Sequence, residues 1–110
     1  MIIGFFVFRG TGGGRNSPTF PRGGMAATFI IDLLDLWGPG VNLACDVEHK
    51  NTEDTAFALA GSFAGMGAIN VFKLDVSGIK EEVRLVFRVG GSDPTNGVYL
   101  NVPEPSWRPY

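Results

Sequence analysis

Cysteine and histidine are nearly missing from this 110-residue chain, which has one of each, Cys45 and His49. A lone cysteine excludes an intrachain disulfide. Charge is sparse too, at 18% of residues, which is low for a globular domain. No run approaches the roughly 20 apolar residues of a membrane-spanning helix. The apolar stretch Ile2 to Phe8 has no basic residue before it and runs into Arg9 and glycines, unlike a secretory signal. The expectation is a soluble protein made in a reducing cytoplasm.

What charge there is falls unevenly. Residues 1–31 carry Arg9, Arg15 and Arg22 with no acid, whereas residues 32–110 carry six Lys/Arg against eleven Asp/Glu. An acidic body argues against general nucleic-acid binding, which needs a basic surface with many phosphate contacts. The length allows one domain with a modest core. An apolar fraction of 45% with so little charge suggests that partners cover some of the apolar surface.

The periodicity is that of strands. Val41, Leu43, Cys45 and Val47 alternate with Asn42, Ala44, Asp46 and Glu48, and Phe72, Leu74 and Val76 with Val71, Lys73 and Asp75. Val83, Leu85, Phe87 and Val89 alternate with Glu82, Arg84, Val86 and Arg88, and Val98, Leu100 and Val102 with Tyr99 and Asn101, giving one buried face each. Ile2 to Phe8 is apolar on both sides, as in a strand covered on both faces. Ala27 to Leu36 has helical leucine spacing, but Thr28, Phe29, Ile30 and Ile31 favour a strand, and Trp37-Gly-Pro-Gly ends it in a turn. A strand at Thr55 to Leu59 completes about seven, with Gly65 to Ala68 as a small-residue crossing. The fold expected is all-β, a single-domain β-sandwich or jelly roll over residues 1–110.

Two segments stand outside that pattern. Arg9 to Gly24 (RGTGGGRNSPTFPRGG) has six glycines, two prolines and three arginines, and reads as a flexible arm ordered only by a partner. Pro103 to Tyr110 (PEPSWRPY), with three prolines, reads as an extended tail ending in aromatics. The residues expected to meet a partner are Arg9, Arg15, Phe20, Arg22, Trp107, Arg108 and Tyr110.

Catalytic and metal patterns fail one by one. The glycine run lacks the Lys-Ser/Thr pair and the following helix of a phosphate loop. His49 is the one base open to Ser17, Ser62 or Cys45. Cys45 lies four residues away on one strand, about 13 Å along it at strand rise, and a histidine near a turn reads as a surface residue. Asp46, Glu48, Glu53 and Asp54 lack the ligand spacing of a calcium loop. Asp32 and Asp35, on a strand, point to opposite faces. Trp37, Phe57, Tyr99, Trp107 and Tyr110 suit a sugar platform or a protein interface. No catalytic residue, metal or cofactor is expected.

The stretch VNLACDVEHKNTEDTAFALAGSF (41–63), followed by VFKLDVSGIKEEVRLVFRVGG (71–91), resembles small structural proteins of tailed bacteriophages. The resemblance implies a β-sandwich decoration or cement protein of the capsid. It would reside in the virion, oligomerise as a trimer, and bind the major capsid protein or other virion subunits. A main shell or tail component is the alternative within that class, and a carbohydrate-binding module using Trp37, Tyr99 and Trp107 is the rival outside it. Residues 9–24 lie outside the resemblance.

Overall fold

A computed structural model describes residues 4–11 and 14–110. Ile2 and Ile3 of the first apolar run, and Gly12 and Gly13 of the arm, lie outside the described residues. Ten strands and no helix form among them: β1 (Gly4–Arg9), β2 (Arg15–Asn16), β3 (Phe20–Pro21), β4 (Ala26–Trp37), β5 (Asn42–Lys50), β6 (Ala58–Met66), β7 (Asn70–Ser77), β8 (Glu82–Gly90), β9 (Gly97–Val102) and β10 (Ser106–Arg108).

These strands build two antiparallel sheets. In the first, β1 pairs β9, β9 pairs β4, and β7 pairs the opposite side of β4. In the second, β2 and β3 pair β8, β8 pairs β5, and β5 pairs β6. The chain crosses between sheets at β1–β2, β3–β4, β4–β5, β6–β7, β7–β8 and β8–β9. The spatial orders β1-β9-β4-β7 and β2/β3-β8-β5-β6 are those of an eight-stranded jelly roll, two interlocked Greek keys.

Alternation does the folding. Phe29, Ile31 and Leu33 of β4, Leu43, Cys45 and Val47 of β5, Val83, Leu85 and Phe87 of β8, and Val98 and Leu100 of β9 are fully or almost fully buried between the sheets. Phe6 and Phe8 of β1 close the end of this core against Phe87, with ring centroids 5.4 and 5.1 Å away. The other face of β1 is open: Phe5 and Val7 are 64% and 51% exposed. The expectation of a strand covered on both faces is therefore corrected.

The described part of residues 9–24 is not a free arm. Arg15↔Phe87 and Phe20↔Val83 share the β8 edge within one residue of a common register, so β2 and β3 are a single jelly-roll strand broken at Pro18. Pro18 follows Ser17, and the hydroxyl of Ser17 takes over the ladder. Its backbone N–H donates to the Leu85 carbonyl at 2.8 Å, and its Oγ accepts from the Leu85 N–H at 2.9 Å. The eighth strand of the sandwich is the segment that looked least like one.

The tail is docked as well. After Pro103–Pro105 interrupts the ladder, which prolines do by lacking an N–H, Trp107 faces Ala27 across the start of β4. The crossing expected at Gly65–Ala68 begins inside a strand, because β6 runs on to Met66.

Candidate interaction surfaces

Among the described residues no cleft suits a small molecule and no three His, Cys, Asp or Glu side chains converge as ion ligands. Surfaces are what the molecule offers, and its two broad faces differ.

The outer face of the β8-β5-β6 sheet is closed on itself. Glu48 and Arg84 are register partners and pair at 2.8 Å, Asp46 meets Arg88 at 2.8 Å, and Lys50 meets Glu82 at 3.7 Å. The Arg88 hydrogen bond holds the Asp46 carboxyl below its ordinary range, and Ser62 Oγ donates to the same carboxylate. Arg84 also lies 4.0 Å from the centre of the Phe57 ring. The charges of these pairs are matched across the strands, so the face offers a partner little free charge; its exposed apolar side chain is Leu59 of β6, the register partner of Glu48.

The outer face of the β1-β9-β4-β7 sheet is different. Phe5 stacks on Tyr99 with centroids 6.0 Å apart, Val7 is the register partner of Tyr99, and Val71 is 49% exposed further across. A bulge between Leu33 and Asp35 sets Asp32 opposite Asn101 and Asp35 opposite Tyr99. Asn101 and Tyr99 are two residues apart, so both carboxylates share this outer face. That corrects the expectation of opposite faces, which assumed an unbroken strand. The result is an apolar aromatic strip bordered by two acids.

The seven expected contact residues divide into two groups. Phe20 is a core side chain, 5% exposed, and cannot meet a partner; the edge strand of which it is part turns it inward. Arg15 donates to the carbonyls of Arg9 and Gly10 and lies 5.6 Å from the Phe8 ring centre. Arg22 donates to the Ile79 carbonyl. Trp107 is half-buried, edge-on to Phe29 at 6.0 Å. These four hold the chain's own segments down. Arg108, which donates to Thr28 Oγ1, and Arg9 are exposed, and Tyr110 is almost wholly so. The five aromatics of the sugar platform do not gather: Phe57 and Tyr99 lie on opposite faces, and Trp107 is packed. Phe5 was missed; its exposure was legible only once Phe6 and Phe8 were known to fill the core.

The three nucleophile candidates, Ser17, Ser62 and Cys45, are each hydrogen-bonded to groups other than His49. His49 is buried, not a surface residue, because it continues the inward row of Leu43, Cys45 and Val47. Its Nδ1 accepts the Lys80 N–H at 3.1 Å, and burial, then the Lys80 charge, keep its pKa below the ordinary value. Burial pushes the Cys45 thiol far up, and the neighbouring Asp46 adds to this, so it holds no reactive thiolate. Ser17 is committed to Leu85.

Comparison of the chain with protein-family models, with curated proteins and with solved structures finds no match in any of the three.

Proposed function

We propose that the chain is a non-catalytic structural protein of a tailed-phage virion, a decoration or cement protein that binds an assembled capsid and stabilises it. The observation that carries this reading is the contrast between the two faces. A subunit laid on a shell needs one adhesive face and one that is content in water. The Phe5–Val7–Tyr99 strip supplies the first, and the ladder of Asp46, Glu48, Lys50, Glu82, Arg84 and Arg88 supplies the second. The jelly-roll connectivity, which viral capsid domains use widely, and the resemblance over residues 41–91 support the same class. The contact surface is then a sheet face with Arg9 at its end, in place of a loose arm. The major capsid protein is the partner, and symmetric copies multiply a weak single contact through effective concentration. A second reading, a main shell or tail component, draws on the open edge of β1.

The test is density-gradient fractionation of particles from cells expressing the tagged chain. Wild-type protein should travel with heads in a fixed copy number, Tyr99→Ser should be largely lost from them, and Glu48→Ala should remain. Free protein at the top of the gradient in every case would sink the proposal. Shells formed by the chain alone would favour the second reading, and specific glycan-array binding by the monomer would favour a carbohydrate module.

A further inference from the structure

A two-sheet sandwich has four edge strands, and three of these are defended against pairing. The β2–β3 edge is broken and carries Pro18 and Pro21. The β6 edge is bent by register shifts at Leu43/Cys45 and Val47/Glu48, and β7 presents Lys73 and Asp75. Among the described residues the edge at β1 has no proline, break or register shift, and its one charge is Arg9 at the end. Its sequence is GFFVFR, with Phe5 and Val7 exposed.

The open groups can be assigned. Gly10 N–H donates to the Asn96 carbonyl at 2.7 Å, and this pair continues the β1–β9 register. Alternation along an antiparallel ladder then commits Gly4, Phe6 and Phe8 to β9 and turns the amides and carbonyls of Phe5, Val7 and Arg9 outward. Arg15 holds the Arg9 carbonyl, which keeps a second lone pair.

We propose that β1 pairs antiparallel with β1 of a second copy, about a two-fold axis through Val7, joining two five-stranded sheets edge to edge. In this register Val7 faces Val7 of the second copy, and each Arg9 faces the other copy's Phe5. The strand is complementary to itself, as an isologous contact requires. Its two like charges sit at opposite ends, each guanidinium lies against an aromatic ring, and the row it joins runs from Phe5 through Asn101 to the Asp32 carboxylate. The aromatic strips of both copies merge into one face. This pairing does not depend on the virion reading, and its two-fold symmetry differs from the trimer implied by the phage resemblance.

Sedimentation velocity of the full chain over a concentration series should show a reversible monomer–dimer equilibrium. Val7→Pro should give a monomer with an unchanged fold, because the Val7 N–H takes no part in the ladder to β9; Val7→Lys should do the same. Val7→Cys, treated with a short thiol-bridging reagent, should trap a covalent dimer in high yield. Leu59→Cys, at an equally exposed site on β6 (62%), should not, and Cys45 is buried in both. A wild-type monomer at all concentrations, a trimer, equal trapping through Leu59→Cys, or undiminished dimer in folded Val7→Pro or Val7→Lys would each overturn the proposal.

Discussion

Ser17 shows how much one side chain can carry in this fold. Its Oγ is the acceptor for the buried Leu85 N–H at the point where Pro18 turns the edge strand away. Ser17→Ala leaves that donor without a partner, at a cost of about 1–3 kcal/mol. Chemical denaturation should show a lowered midpoint with an unchanged slope, and Ser17→Thr should recover part of the loss. His49 sets a pH dependence. The unfolded chain binds its imidazole proton near pH 6.5, the ordinary value, and the folded chain only at lower pH. Between those values the unfolded state holds more protons, so stability is full above about pH 6.5 and falls as acid is added. Thermal midpoints measured from about pH 7 to pH 5 should decline, and His49→Gln should flatten the slope, since its amide oxygen can still accept the Lys80 N–H. A slope unchanged by His49→Gln would assign the effect to other groups.

At the scale of elements, the strands with one buried face were legible and the strands without one were not. Leu43-Ala-Cys-Asp-Val alternates because one side must enter the core, and the same logic locates β7, β8 and β9 to within a few residues, whereas β4 is located by its β-favouring residues and closing turn. The segment 9–24 gives no such signal. Its strand consists of two-residue pieces whose pairing partner, β8, lies more than sixty residues further on, and glycine and proline read locally as freedom. Among its described residues only Ser17 and Phe20 are buried, too few to show a period. The bulge in β4 was hidden for a related reason, since nothing in ATFIIDLLDL marks where a register will slip. A consequence follows for truncation. Removing residues 14–22 strips β8 of its edge partner and deletes Phe20 from the core, where losing a phenylalanine side chain alone costs about 3–5 kcal/mol. The shortened chain should lose its cooperative melting transition and expose its thiol to alkylation. A truncated protein that melted like the full chain would restore the reading of this segment as a dispensable arm.

For the molecule as a whole, the two faces imply different physics of attachment. An interface built on the Asp46–Arg88 and Glu48–Arg84 ladder would be governed by charge and weakened by salt, because the Debye length shrinks to about 3 Å at 1 M. One built on Phe5, Val7 and Tyr99 removes apolar surface from water, so it should carry a negative heat-capacity change and lose strength on cooling. Binding of the protein to particles, followed by calorimetry, should therefore persist at about 1 M NaCl and show an enthalpy that becomes more negative with temperature. Steep loss of binding with salt, at unchanged particle integrity, would transfer the contact to the charged face or to Arg9 and Arg108. The same measurement on Tyr99→Ser separates the contributions further: a smaller heat-capacity change with an unaltered salt response is the outcome that assigns the strip, and not the arginines, to the shell.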